Sequence, residues 1–192
     1  MSQDVNYKSF VEQNGLIIDY WENPTYPSQF SDVMKFSNCK NVIVNGVTVD
    51  GGTEDCIDAV RGENYLFQNL SLNLYRNGIT IKGSIDGWHL KNILFNRKGA
   101  DYTVEIGQYD NYWYIGRPPT RNGIIENIRL ENGSTLTVRV WDAEKPALLN
   151  CPNVRVIKIP KLIWFPYFVF RSVQREGLGF FKKSIDILRG KE

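Results

Sequence analysis

The sequence predicts an all-β solenoid, a fold in which each turn of the chain stacks its strands on those of the previous turn. One observation is a repeated segment, NVIVNGVTV, NYLFQNLSL, GWHLKNILF and NGIIENIRL, which starts at positions 41, 64, 87 and 122 of the 192 residues. The other is a series of short alternating runs that end at Phe36, Val60, Ile81, Ile106 and Val140. Alternating β-branched and aromatic residues indicate strands, because a helix would repeat its apolar positions about every 3.6 residues.

The two series keep the same rhythm along the chain. Aligning the four repeated segments on their sixth residue gives steps of 23, 23 and 35 residues, and the second series lengthens at the same place. The excess of 12 residues (35 − 23) matches a polar, aromatic insertion at 108–120. A weaker copy, NVRVIKI, follows at 153–159. We therefore predict coils stacked about 4.8 Å apart around a core of Val, Ile, Leu and Phe.

Asparagine recurs at one position of the repeat, at Asn69, Asn92 and Asn127, where the first copy has Gly46. Asparagine tolerates left-handed backbone, and its side chain can hydrogen-bond to neighbouring turns of the chain. We predict a corner at which the three amides stack as a structural ladder and have no catalytic role.

In its strand rhythm and its asparagine corner, the region 33–159 resembles the right-handed parallel β-helix superfamily of pectate-lyase-like proteins. The resemblance covers about two thirds of the chain and implies a single-stranded right-handed parallel β-helix of about five to six coils. This superfamily includes polysaccharide lyases and hydrolases, bacteriophage tailspikes and other virion β-helices, and adhesins. Its virion members are often trimeric, so the resemblance also implies a homo-oligomer, with a trimer as one expected form.

The ends of a solenoid expose strand edges, which aggregate unless they are covered. We interpret 1–32 as an N-terminal cap or irregular first coil, and 160–192 as a basic, aromatic and partly helical C-terminal segment. That segment could cap the last coil, contact other subunits or, as the least favoured interpretation, touch a membrane surface. Its longest apolar run, 162–170, is shorter than the roughly twenty residues that span a bilayer. The candidate interface residues in it are Trp164, Phe165, Tyr167 and Phe168.

The insertion at 108–120 concentrates aromatic side chains beside polar ones. Exposed Tyr and Trp suit either a protein interface or stacking against sugar rings, whereas a loop that folds back would pack them on its own coil. The sequence leaves these three interpretations open. The candidate binding residues are Tyr109, Tyr112, Trp113, Tyr114 and Arg117.

An acidic stretch lies between two predicted strands. Polysaccharide lyases of the superfamily hold calcium with clustered carboxylates, and a nearby base then removes a proton from the uronate. The resemblance therefore implies a calcium site and a base in this stretch. The candidate calcium ligands are Asp50, Asp55 and Asp58, and the candidate catalytic residues are Asp55, Asp58, Arg61 and His89.

The enzyme motifs of the superfamily are altered or absent in this sequence. The lyase motif Arg-x-Pro-x-x-Arg has a counterpart one residue shorter, RPPTR at 117–121, and the hydrolase blocks Asn-Thr-Asp, Asp-Asp, Gly-His-Gly and Arg-Ile-Lys do not occur. The single histidine, His89, alternates with Trp88 and Leu90 on a predicted strand, so we expect it to point outward. These departures favour a protein that is not an enzyme.

Charge and cysteine content argue against other classes of function. A net charge of +2 gives no reason to expect nucleic-acid binding, and the three cysteines form no Cys-x-x-Cys pair of the kind that binds zinc or supports redox chemistry. The first residues lack the apolar core of a signal peptide, so we expect synthesis in the cytoplasm without a leader.

We expect a non-enzymatic structural or binding module without a cofactor. By resemblance, the most specific expectation is a bacteriophage virion component (tail, baseplate or capsid surface) that engages protein partners or glycan and is located in the virion. One alternative is a small calcium-dependent polysaccharide lyase or hydrolase. A second alternative is a peripheral membrane or cell-surface glycan-binding protein.

Overall fold

The computed structural model describes residues 17–19, 32–50, 54–74, 76–107 and 118–160. Over these residues the protein is all-β, with ten strands and no helix. It follows that no helix in the described part is long and apolar enough to cross a membrane. The strands are β1 (Ile17–Asp19), β2 (Met34–Asn45), β3 (Thr48–Asp50), β4 (Asp55–Asn73), β5 (Asn77–Phe95), β6 (Val104–Gly107), β7 (Arg121–Leu130), β8 (Leu136–Val140), β9 (Ala147–Leu149) and β10 (Val154–Lys158).

All nine pairings between the described strands are parallel. The main path of the sheet runs β1-β2-β4-β5-β6-β8-β10, and β7 pairs with both β5 and β9. One line of paired residues takes the register steps that the repeated segments predict, 23, 23 and 35 residues, and then a further 23. The prediction of an all-β, parallel arrangement is therefore confirmed. The residues on that line are Val44, Phe67, Leu90, Ile125 and Leu148.

Left-handed residues bend the long strands at regular positions. In β4 the backbone angle φ is positive at Arg61 (56°), Asn64 (59°) and Asn69 (55°). Asparagine adopts this conformation more readily than most residues, which explains its recurrence at the bends. Each bend changes the direction of the chain, so the 19 residues of β4 form several short straight segments that point in different directions.

The core consists of the inward-pointing residues of successive strands. Its largest side chains include the rings of Phe36, Tyr65 and Phe67, whose centroids lie 5.7 Å apart for the two phenylalanines and 5.9 Å apart for Tyr65 and Phe67. Aromatic pairs at these separations add to the stabilisation from apolar burial. The same apolar line that is fully buried at Val44 reaches 39% exposure at Leu148. Within the described residues, this apolar line is therefore buried at β2 and partly exposed at β9.

Candidate functional site

Three carboxylates lie together where β2 and β4 begin. Asp32, Asp55 and Asp58 each place an oxygen atom within 4.8 Å of the others. Asp55 and Asp58 belong to β4, and the backbone N–H of Asp55 donates to Oδ1 of Asp32 at 3.2 Å. The sequence analysis named Asp55 and Asp58 but missed Asp32. The signal was available, because Asp32 precedes Asp55 by 23 residues, which is one step of the repeat.

Two lysines neutralise Asp58, whose side chain is 2% exposed. The Nζ atom of Lys35 lies 2.6 Å from Oδ2 of Asp58 and 3.0 Å from Oδ2 of Asp32, and Nζ of Lys82 lies 3.3 Å from Oδ1 of Asp58. Burial lowers the pKa of Lys35, but the charge of Asp58 and the hydrogen bonds to both carboxylates outweigh it, so the net pKa is raised. The ammonium of Lys35 thus bridges two of the three carboxylates.

Asp55 has neutral partners. The hydroxyl of Tyr102 donates to its Oδ1 at 2.6 Å, and the hydroxyl of Thr80 donates to its Oδ2 at 2.7 Å. Burial raises the pKa of Asp55 to about 7, although these two hydrogen bonds oppose the shift. Burial, followed by the charge of Asp55, also raises the pKa of Tyr102. Asp55 is therefore protonated in a large fraction of molecules near neutral pH.

Asp58 belongs to a line of outward-facing polar residues that crosses the sheet. Each member pairs in register with the next one across neighbouring strands. Glu105 is 1% exposed, accepts a hydrogen bond from the indole Nε1 of Trp141 and lies 3.8 Å from the guanidinium of Arg139. We call this line the carboxylate column; it consists of Lys35, Asp58, Thr80, Glu105 and Arg139.

The cluster fits a calcium ion only in part. Calcium takes six to eight oxygen ligands, and carboxylates are suitable donors. Here Asp55 and Asp58 supply such oxygens, but calcium would have to displace Lys35 and deprotonate Asp55 to use them. The third predicted ligand, Asp50, is the last residue of β3, and its side chain lies outside the described residues.

The two other candidate catalytic residues are placed differently. Arg61 follows Asp58 by three residues at a strand bend, and its Nε is buried without a hydrogen-bond partner among the described residues. His89 lies on a different face, paired in register with Leu66, and its Nε2 lies 3.0 Å from Oε2 of Glu126. The contacts described for His89 do not include the carboxylate cluster, so the structure does not bring the four predicted catalytic residues into one site.

The three predicted ladder asparagines lie in one line of hydrogen bonds. The Nδ2 atom of Asn127 donates to Oδ1 of Asn92, and that of Asn92 donates to Oδ1 of Asn69, both at 2.9 Å. Nδ2 of Asn69 then donates to Oδ1 of Asn45 at 2.7 Å. Gly46 shares the positive φ of this corner, but it has no side chain, and its neighbour Asn45 supplies the last amide. We call these four asparagines the continuous ladder.

A second corner repeats at the first residue of each repeated segment. Asn41, Asn64, Gly87 and Asn122 all have positive φ, between 54° and 74°. Nδ2 of Asn64 donates to Oδ1 of Asn41 at 2.9 Å, but Gly87 has no amide to continue the line, and Asn122 donates instead to Oδ1 of Asp86 at 2.6 Å. We call these four residues the broken ladder. The sequence analysis aligned them without assigning them a role.

A shallow groove of about 440 Å³ lies beside this interruption. The broken ladder forms one side, and outward-facing residues of β2, β4, β5 and β7 form the floor. Trp88 also lines the groove, and its buried Nε1 has no hydrogen-bond partner among the described residues. We call this feature the Gly87 groove; its floor consists of Ile43, Leu66, His89 and Ile124.

The predicted aromatic interfaces cannot be placed in this architecture. The candidate residues of the insertion and of the C-terminal segment lie outside the described residues: Tyr109, Tyr112, Trp113, Tyr114, Arg117, Trp164, Phe165, Tyr167 and Phe168.

The described fold and sites define an all-β protein with a parallel sheet, a buried carboxylate cluster and an outward groove. Neither a protein-family model nor a curated protein nor a solved structure matches the chain.

Proposed function

We propose that the chain forms a right-handed parallel β-helix that serves as a non-enzymatic structural or binding module. The parallel pairing of all nine strand pairs supports a solenoid, as do register steps of 23 residues along one apolar line. A rod of this kind presents flat, repeating faces. Such faces suit contact with partners.

The observation that carries the non-enzymatic assignment is the state of the carboxylates. A lyase needs carboxylates that are open to a metal ion and a base that can reach the substrate. Asp58 is instead paired with Lys35 and Lys82. Asp55 is buried and accepts hydrogen bonds from the hydroxyls of Tyr102 and Thr80. These groups stabilise the sheet, so their presence does not require a catalytic function.

Within this class, a bacteriophage virion component that engages protein partners or glycan is the specific role we favour. The apolar edge at β9 supports it, because among the described strands β9 pairs only with β7 and exposes Leu148 (39%) and Leu149 (46%). Exposed apolar side chains on an edge strand favour association with another protein surface. Self-association or docking to a larger particle would cover this end.

The proposal is tested by measuring the mass of the full chain by light scattering across a concentration series. We expect a concentration-dependent oligomer, and we expect Leu148→Ser combined with Leu149→Ser to weaken association by about tenfold or more. Lys145→Ser changes an exposed residue near the same end and serves as the control. A monomer at every concentration, or equal association of the double variant, would contradict the assembly role.

A calcium-dependent polysaccharide lyase is the second candidate, because Asp32, Asp55 and Asp58 do place oxygens within 4.8 Å of one another. It is tested with polygalacturonate and calcium by following the ultraviolet absorbance of unsaturated product. A lyase would lose activity with chelator and in Asp55→Ala. The absence of product across a panel of acidic glycans would end this candidate.

A further inference from the structure

We propose that the Gly87 groove binds a neutral oligosaccharide. This inference deepens the proposed binding role and rests on it. The groove lies beside the one residue of a repeating corner that lacks a side chain. Its position, lining and charge each bear on the kind of ligand that fits.

The broken ladder leaves an acceptor facing the gap. Along the continuous ladder, each asparagine donates to the amide oxygen of the strand before it, and Asn64 does the same to Asn41. Gly87 has no side chain to donate to Asn64, and Oδ1 of Asn64 lies only 3.0 Å from the position that a Cβ atom on Gly87 would take, so this acceptor occupies part of the space that a side chain would use. A ligand hydroxyl can take the place of the missing amide, because a hydroxyl both donates and accepts hydrogen bonds.

Three of the four floor residues of the groove are aliphatic, and the fourth is His89. Ile43 pairs in register with Leu66, Leu66 with His89, and His89 with Ile124. All four side chains are half-buried on the outward face. A sugar ring presents hydroxyls at its edge and C–H groups on its face. A floor of aliphatic side chains beside a row of amides matches both surfaces of such a ring.

The size of the groove favours a small ligand over a protein partner. Four neighbouring strands span about 14 Å, and three outward columns of residues span about 13 Å, which gives a face of about 200 Å². A stable protein interface buries about 800 Å² on each partner. The groove volume of about 440 Å³ instead lies within the range of small-molecule sites.

The charges around the groove favour a neutral ligand over an acidic one. Arg121 lies 2.7 Å from Asp86, and Lys91 lies 3.2 Å from Glu126, which also contacts His89. The charged side chains of this face are therefore paired with one another. No excess of positive charge is present among these pairs to attract a uronate chain.

The test is a titration of the full chain with three neutral probes, cellopentaose, maltopentaose and N-acetylchitopentaose, and with pentagalacturonate, followed by calorimetry or amide NMR shifts. We expect at least one neutral probe to bind and pentagalacturonate to bind more weakly. Gly87→Asn adds a side chain that tolerates positive φ, and its Cβ would lie 3.0 Å from Oδ1 of Asn64, so it blocks or displaces that acceptor and should weaken binding by about tenfold or more. Gly133→Asn is the matched control, because Gly133 also has positive φ (68°) and has open space around it.

Unchanged binding by Gly87→Asn, preferred binding of pentagalacturonate, or no binding of any neutral probe up to about 10 mM would overturn the inference. Leu66→Asp provides a second variant if Gly87→Asn does not fold, since Leu66 lies on the outward floor. The assembly role is measured separately by light scattering. A chain that self-associates but binds no neutral probe would contradict the inference about the groove and leave the assembly role supported. A chain that binds a neutral probe but remains a monomer would contradict the assembly role and leave the inference about the groove supported.

Discussion

The carboxylate column and the broken ladder both face outward from parallel strands of one repeat, yet they satisfy their polar groups differently. In the carboxylate column, Asp58 and Glu105 are almost fully buried and each has partners on neighbouring strands. In the broken ladder, Gly87 interrupts the line of amides and a groove opens beside it. The comparison teaches that, among the described residues, the buried carboxylates have partners within the sheet, whereas the groove lies beside a position where a side chain is missing.

The largest effect is expected from removing the centre of the carboxylate column. Asp58→Ala empties an almost fully buried position and removes the carboxylate that Lys35 and Lys82 share, although Lys35 keeps Asp32, and the free energy of unfolding should fall by about 3 kcal/mol or more. Glu63→Ala is the control, because the pair of Glu63 with Lys40 also joins neighbouring strands but is 45% and 57% exposed. Its loss should cost less than about 1 kcal/mol. If denaturant unfolding shows equal losses of stability for the two variants, the ion pairs of Asp58 are no better shielded from water than the exposed pair of Glu63 with Lys40.

The sequence predicted the arrangement of strands better than the polar contacts between them. The repeated segments fixed the steps of 23, 23 and 35 residues, because inward apolar positions must align for turns to stack. Asp32 was missed because the predicted boundary at residue 32 placed it in a cap. Its contact with Lys35 depends on side-chain geometry at the start of β2, which a repeat length does not specify.

The two ladders show the same limit. A positive φ at a corner can be met by asparagine or glycine, so the alignment of Gly46 with Asn69 was correct for the backbone. It could not show that Asn45 would supply the last amide of the continuous ladder. Likewise, Gly87 aligned with Asn64 in the sequence, but the missing hydrogen bond became visible only in the structure.

The next effect concerns pH and sharpens the claim that Asp55 is closed off. Its pKa is raised to about 7 in the folded protein, above the ordinary value of 3.8. The unfolded chain therefore releases this proton first, and between pH 4 and 7 the folded state binds more protons. Stability should fall as pH rises through this window, by about 2–3 kcal/mol from this group between pH 5 and pH 8.

Asp55→Asn isolates the contribution of this carboxyl, because the amide keeps the shape and loses the titration. Other groups also titrate in the same range, and Asp32 has a pKa raised by burial and by the charge of Asp58. The measurement is therefore the difference between the two proteins in unfolding free energy at pH 5 and at pH 8. We expect the wild type to lose more stability on going to pH 8 than the variant does. Parallel pH profiles would mean that Asp55 is solvated and titrates normally.

The smallest effect comes from making the two ladders alike. Asn92→Gly keeps the positive φ but removes the hydrogen bonds to Asn69 and from Asn127, and should cost about 1–2 kcal/mol in unfolding free energy. Asn92→Ala should cost about 1 kcal/mol more, because alanine is strained at a φ of 52°. Gly87→Asn makes the opposite change, but its Cβ would lie 3.0 Å from Oδ1 of Asn64, so that amide must shift before it can accept the new hydrogen bond, and the unfolding free energy should change by less than about 1 kcal/mol. If Asn92→Gly costs nothing, the corners depend on backbone conformation alone, and the amide bonds are incidental to stability. In that case a glycine at position 87 would cost no stability, and its presence would need no ligand-binding role to explain it. The measurement therefore also tests the reason for the groove.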